Sequence, residues 1–447
     1  MDAAVLASEL DKASFAGTMA QRSHADYDRL RRVWNAVADR RPAAIVRARS
    51  VGDVTSVVRI AAEHAALLAV RCGGHSLPGL STCDDGVVLD LSLMNETTVD
   101  PIAHTVEVAG GALLGHLDVA GARAGLVTPA GVVSHTGVGG LALGGGMGWL
   151  SRRFGLTVDN LLSAEIVMAD GRLIQTSADI EPDLFWAIRG GGGNFGVVTK
   201  FEFRMHPLGP VAVGRWVYAS SVSATALRGY RELAAGAPRE LTASFTLTAA
   251  GLTLTAIWSG RADGAEKALN PYRRVARPLS GSLDFVAFVD LQRRSDEHFS
   301  WGRRYYAKGG YLDDIDDTAI SCLTSLIARS PTPDSELYVL QLGGAIADID
   351  EGATAYSGRA AGFYWIAEPV WDNEADDERC ISWGRLAGGR LAEISLRGNY
   401  VNEQADHGRE VAVGAYGAEK YARLAKLKAR YDPANLFRLN QNIEPQP

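Results

Sequence analysis

The chain is short of cysteine, of clustered histidine, of positive charge and of long apolar runs, and each shortage removes a class of function. Four cysteines (Cys72, Cys83, Cys322, Cys380) are scattered over 447 residues without a CxxC pair, so no disulfide framework is encoded. The nine histidines form no HxxxH pair and no Cys/His cluster, which argues against zinc and leaves no metal site expected. A formal charge of −7 provides no basic footprint for nucleic acid. No apolar run approaches the ~18 residues that cross a membrane. The opening Met1-Asp2-Ala3-Ala4 is acidic where a signal peptide is basic. The expectation is a cytoplasmic protein with reduced thiols and no nucleic-acid or membrane partner.

Glycine, in contrast, is abundant and clustered. At Arg71-Cys72-Gly73-Gly74-His75-Ser76 two glycines break an apolar strand at 66–70 and leave a histidine on the turn. Glycine lets backbone approach a ligand closely, and successive N–H groups in such a turn form a concave anion site. The plain alternative is a turn with a surface histidine. From Gly137 to Gly148 seven of twelve residues are glycine, interleaved with Val, Leu and Met and followed by Trp149. Interior glycines disfavour ordinary helix and strand, and the apolar residues are wrong for a flexible linker. The run therefore reads as backbone on which a bulky flat ligand lies.

Around these clusters the pattern is strand and helix. Strands are expected at 43–46, 87–91 and 105–109, and Asp53 is placed to cap a helix whose apolar positions include Val57, Val58 and Ile60. Asp170-Gly171 between apolar runs marks a hairpin. A helix at 182–188 ends in a second glycine cluster, 190–196, before a strand at 197–204. Two stretches, from Gly137 and from Gly191, fit dinucleotide fingerprints. The second runs helix to strand, the reverse of a Rossmann turn, and the first lacks βαβ units around it, so an NAD site is the weaker reading. From 205 to 396 alternating segments such as 243–248 and 252–257 indicate an antiparallel sheet with helices at 221–235, 263–270 and 318–328. Residues 399–402 look strand-like, and a helix at 418–430 stops by Asp432-Pro433.

In this order the motifs are R-x-G-G-H-S at 71–76, D-L-S-x-M-N at 90–95, the P-A-G and glycine run at 129–148, G-L-x-x-D-N at 155–160, D-L-F-W-A-I-R-G-G-G at 183–192 and Y-D-P-x-N-x-F-R near the end. Together they resemble the berberine-bridge-enzyme-like branch of the vanillyl-alcohol-oxidase flavoproteins. The resemblance implies an α+β chain: a PCMH-type, two-subdomain FAD-binding domain at 1–204, an inserted antiparallel-sheet-plus-helices substrate domain at 205–396, and a C-terminal return at 397–447. It implies FAD bonded through its 8α-methyl to His75. The cysteine that gives relatives a second link is replaced by Val133, so a single link is expected.

Cofactor contacts carried over on the motifs are Arg71, Gly73, Gly74, His75 and Ser76 from the first turn. Pro129, Gly131, Thr136, Gly137, Gly139, Gly140, Gly144, Gly145 and Gly148 follow from the glycine run. Asn160, Val167, Val198, Tyr400 and Asn402 complete the set. Where relatives carry Y-x-N-Y, this chain has Tyr400-Val401-Asn402-Glu403. Glu403 is thus the candidate base, a partly buried carboxylate being tunable toward neutral pH; the alternative is a solvated acid. Tyr400 is either a second catalytic candidate or a cofactor-lining ring. Trp365 and Ala367, after Arg359, imply an apolar substrate pocket, to which Tyr311 is assigned as well. The expected activity is a covalent FAD oxidase of a small organic substrate, taking hydride from a C–H beside an alcohol or amine, with O2 as acceptor and H2O2 as product. The alternatives are a dehydrogenase that does not use O2 and a non-redox or NAD-type nucleotide-binding protein.

Overall fold

The computed structural model describes residues 3–446. The first sheet has four strands in the order Thr18–Gln21, Ala44–Arg47, Val87–Asp90, Leu68–Arg71. The last three are parallel, and their near-continuous apolar runs match a sheet covered on both faces. Helix Val51–Glu63 makes the crossover and buries Val54, Val57, Val58, Ile60 and Ala61. Its cap is Ser50, whose side chain accepts from the Asp53 N–H, and not Asp53 as the sequence suggested. The Asp53 carboxylate instead accepts from the N–H groups of Ala16 and Arg49, tying the preceding chain to the helix start.

A five-stranded antiparallel sheet follows, in the order Thr97–Asp100, Thr105–Ala109, Val197–Arg204, Leu161–Val167, Leu173–Ser177. The last two strands close at Asp170-Gly171, where Gly171 takes φ +79°. Helices Leu114–Ala124, Pro182–Ile188 and Arg409–Tyr431 pack into one core with this sheet. The last begins earlier than the expected 418 and is interrupted at Gly417. It ends on a fully buried Lys428–Asp432 pair, whose ammonium also donates to the Asn194 and Phe437 carbonyls. That pair anchors the C-terminal return to the second glycine cluster.

Between Arg204 and the return, a seven-stranded antiparallel sheet runs in the order Ser280–Val286, Val211–Ala219, Gly251–Trp258, Leu241–Thr248, Glu336–Gln341, Phe363–Glu368, Lys308–Leu312. Helices Ser223–Ala235, Ala265–Arg273, Asp317–Ile327 and Asp377–Ala392 cover one face. The opposite face looks toward the glycine-rich loops.

Two further local expectations fail. Val138–Gly144 is an α-helix despite its glycines. A Cβ on Gly144 would sit 2.2 Å from the Asn402 amide oxygen, and one on Gly139 would sit 3.0 Å from the Gly110 carbonyl. Close neighbours thus demand glycine, and tertiary packing overrides propensity. Residues 399–402 form no strand: Val401–Glu403 is a 3-10 turn. Asn402 Nδ2 donates to the Leu141 carbonyl and the Tyr400 hydroxyl, so the segment is held by side-chain bonds rather than by a ladder.

Candidate active site

One cavity of about 710 Å3 extends from the glycine-rich loops to the open face of the seven-stranded sheet. At its first end lie residues 72–78, 131–133, Thr136, Gly137, Gly139, Gly140, Gly148 and Val198, with Tyr400 and Asn402. The turn at 71–76 and the glycine run meet backbone to backbone. A Cβ on Gly73 would lie 2.3 Å from the Gly137 nitrogen, and one on Gly137 equally close to the Gly73 nitrogen. Gly74 adopts φ +68°, and the N–H groups of Gly74, His75, Ser76 and Leu77 have no acceptor among the described residues. Unpaired donors on a turn form an anion cradle suited to a pyrophosphate. Gly140 faces open space, the Gln441 Oε1 on the cavity wall is buried without a partner, and both features fit a bulky polar group such as FAD.

His75 stands in the cavity wall. Its Nε2 is 2.7 Å from His135 Nδ1, its Nδ1 is 3.4 Å from Thr136 Oγ1, and Trp34 stacks on its ring at 4.7 Å. Burial first, then the neighbouring His135, push its pKa down to about 3, so the imidazole is neutral and nucleophilic at physiological pH.

Several residues assigned to the cofactor lie behind the wall. Arg71 is buried in an ion pair with Asp90, fastening adjacent strands, and does not reach the cavity. The Pro129 carbonyl accepts from Thr157 Oγ1 at 2.8 Å. Asn160 spends its amide on the Phe154 and Leu156 carbonyls, with its oxygen 2.7 Å from His206 Nε2. Val167 packs in the core of the first sheet. Gly144 and Gly145 back onto Asn402, Tyr356 and Tyr400. These residues shape the cradle; they do not line it.

Tyr400 lines the cavity, but its hydroxyl accepts from the Gly146 N–H at 3.0 Å and from Asn402 Nδ2 at 2.8 Å. Burial first, then Glu403, raise its pKa above the ordinary tyrosine value, and the two bonds tie the ring to the loop. Glu403 also lines the cavity, and its carboxylate has no hydrogen-bond or ion-pair partner among the described residues. Burial raises its pKa to about 7, the range in which a carboxylate exchanges protons near neutrality.

The substrate-side assignments are out of phase by one residue. In strand Phe363–Glu368, Tyr364, Ile366 and Glu368 face the cavity, while Trp365 and Ala367 face the helix-covered core. Trp365 Nε1 donates to Ser395 Oγ at 2.8 Å on that far side. Side chains alternate strictly along a strand, so a slip of one residue exchanges the faces. Tyr311 is one layer back, bonded to the Tyr356 hydroxyl and packed against Tyr364. The pocket is consequently acidic as well as aromatic. Glu336 and Glu368 are direct cross-strand partners, and both line it. Glu368 is 5% exposed, and burial, then Glu336, then Glu403 raise its pKa well above the ordinary carboxylate value. His298 Nε2 lies 3.4 Å from Glu336, which raises the histidine's pKa. The sequence reading missed Glu336, Glu368, His298 and His135. The one available signal was an acid at the end of each apolar strand, 336–341 and 363–368.

An anion cradle, a neutral histidine and an acidic pocket, joined on this two-part fold, define a flavin-dependent oxidoreductase. Residues 42–177 match the model of an FAD binding domain, and residues 399–444 match that of berberine and berberine-like proteins. An FAD-linked oxidoreductase of Dictyostelium discoideum is 31% identical over 416 residues, 92% of this chain and 91% of that protein. The (R)-6-hydroxynicotine oxidase of Paenarthrobacter nicotinovorans is 30% identical over 97% of this chain and 98% of its own. The crystal structure of 6-hydroxy-D-nicotine oxidase from Arthrobacter nicotinovorans superposes with a TM-score of 0.87 at 27% identity, covering 97% of this chain and 99% of that one. The chain belongs to the berberine-bridge-enzyme-like family of FAD-linked oxidoreductases.

Proposed function

We propose that the protein is an oxidase whose FAD is held by a single covalent link to His75. It takes hydride from a C–H beside an amine or alcohol of a small cyclic or aromatic substrate and passes the electrons to O2. The observation that carries this reading is the continuity of one cavity from His75 and its N–H cradle to the partly buried acid Glu403. Bound FAD would accept the hydride at N5 and return two electrons to O2 as H2O2.

The chain's own residues supply the rest. The N–H groups of 74–77 hold the pyrophosphate. Trp34 stacks on His75 and, with His135 at its Nε2, fixes the imidazole so that Nδ1 is the nitrogen left for the flavin. A glucooligosaccharide oxidase of the same fold carries an 8α-N1-histidyl, 6-S-cysteinyl flavin; the absence of cysteine at Val133 supports one link here. Glu403 accepts the substrate's N–H or O–H proton as hydride leaves. Thr136, small and at the ring end of the cavity, leaves room for oxygen.

The reading is tested by mixing the purified protein with amine and alcohol panels. Anaerobic bleaching of the flavin band followed by return of colour and stoichiometric H2O2 on admitting air is expected. Bleaching that air does not reverse would identify a dehydrogenase instead.

A further inference from the structure

We propose that Glu368, Glu336 and His298 form a proton line between Glu403 and solvent, carrying the substrate's proton out of an occupied cavity. This rests on the flavoenzyme reading, in which Glu403 takes that proton, and adds the route by which it leaves.

The carrying observation is that His298 spans the cavity wall. Its Nε2 is buried without a hydrogen bond, 3.4 Å from Glu336 Oε2, while the side chain as a whole is 37% exposed. An imidazole so placed takes a proton at one nitrogen and releases one from the other. Inward of it, Glu336 and Glu368 are both buried and are direct cross-strand partners on the face that lines the cavity. Side chains paired in this way have Cβ atoms ~5 Å apart, so their carboxyl groups can meet. Glu368 has no hydrogen bond or ion pair among the described residues. Tyr364, on the same strand and facing the same cavity, has a buried hydroxyl without a partner. Burial first, then Glu403 and, more weakly, Glu368 raise its pKa, so the ring lies within electrostatic reach of both acids. Tyr338, on the Glu336 strand, is raised by burial and then by Glu336 and Glu403. The remaining charges that act on the line are at its outer end: Glu336 chiefly and Asp334 also raise the His298 pKa, against burial and Arg303.

Neighbouring carboxylates cannot all ionise in a desolvated site, so the group keeps a proton at neutral pH and titrates as a unit. A fixed structural role is served better by apolar side chains, which carry no desolvation cost. A row of acids that holds a mobile proton and ends on a half-exposed histidine is suited to transfer. Glu403 follows Asn402, which donates to the Leu141 carbonyl of the glycine run, so a substrate lying against the cofactor covers it. At each link one O–H or N–H bond forms and one breaks. The substrate's N–H or O–H proton goes to Glu403, Glu368 hands its own proton to Glu336 and is refilled from Glu403, and Glu336 passes one through His298 to water. No electron moves along the line. Run inward, it returns the proton that O2 needs, beside the hydride, to leave as H2O2.

The test is anaerobic stopped-flow mixing of the holoprotein with the amine and alcohol panels at about pH 8, in weak buffer containing phenol red. Flavin bleaching and proton release are read in the same trace, and the oxidised flavin spectrum before mixing reports that fold and cofactor are intact. In wild type, release should keep pace with bleaching. In His298→Ala it should trail bleaching by about tenfold or more, and free imidazole at low concentration should close the gap. Glu336→Gln should show the same lag without rescue by imidazole. Release that keeps pace with bleaching in His298→Ala, a lag that imidazole leaves unchanged, or rescue of Glu336→Gln by imidazole would overturn the proposal and leave the His298–Glu336 contact a structural one. Panels that bleach no flavin would remove the oxidase reading and this proposal with it, whereas bleaching with no lag in either variant removes this one alone.

Discussion

Glu403→Gln should make the protein more stable at alkaline pH and leave it unchanged in acid. The unfolded glutamate titrates near 4.5, and burial moves the folded one to about 7. Below 4.5 both states hold the proton and the group costs nothing. Between the two values the native state keeps a proton that the unfolded state has released, so stability falls as pH rises, by ~1.4 kcal/mol per pH unit. Above about 7 the whole penalty is present, and the gap corresponds to ~3 kcal/mol. Glutamine cannot ionise and bears none of it. Removing the Glu403 charge also relieves Glu368, whose raised pKa owes part of its shift to Glu403, and that effect has the same sign. The assay is urea unfolding of wild type and variant across pH, read as the difference between the two so that titrations uncoupled from Glu403 cancel. The difference should be near zero at about pH 4 and grow to ~3 kcal/mol by about pH 8. A difference that does not change with pH, or a variant less stable at pH 8, would refute the claim that this carboxylate is desolvated without a partner.

Asp159→Ala should destabilise by ~3–5 kcal/mol, because it strands the Arg359 guanidinium, 2% exposed, that Asp159 grips at 2.8 and 3.1 Å; a thermal unfolding midpoint equal to wild type would contradict this. His135→Ala removes the group 2.7 Å from His75 Nε2 and should lower the fraction of acid-stable flavin while FAD still binds; full covalent loading would show the contact to be incidental. Trp365→Ala should cost ~3–5 kcal/mol with ligand affinity retained, since the ring packs in the helix-covered core. Tyr364→Phe, which deletes an unpartnered hydroxyl, should leave stability within ~1 kcal/mol and change ligand affinity. The reverse pattern for this pair would overturn the strand's facing.

Much of the scaffold was legible because its signals are local. Asp170-Gly171 marks a hairpin whatever surrounds it, and the apolar runs at 43–46, 87–91 and 197–204 are strands by composition. The glycine turn beside His75 was legible as a turn, but a plain turn with a surface histidine fitted those six residues too; the structure gives each glycine its reason, a left-handed φ of +68° at Gly74 and backbone contact with Gly137 at Gly73. The phase of strand Phe363–Glu368 was not: Phe-Tyr-Trp-Ile-Ala is apolar on both faces, so no alternation shows which side meets the cavity. The helix at Val138–Gly144 was hidden because the reason for its glycines, the close approach of Asn402 and Gly110, lies across the fold. His135 and the Glu336–Glu368 pair are products of tertiary contact and strand register, which no short window of sequence encodes.

The central claim, a flavin carried on His75, is tested most directly by precipitating the purified protein with acid and taking spectra of pellet and supernatant, beside His75→Ala. The account predicts a yellow wild-type pellet with a clear supernatant, and a variant whose flavin either washes out or was never bound. A wild-type protein that releases all its flavin to the supernatant, or a His75→Ala pellet as yellow as wild type, would contradict it.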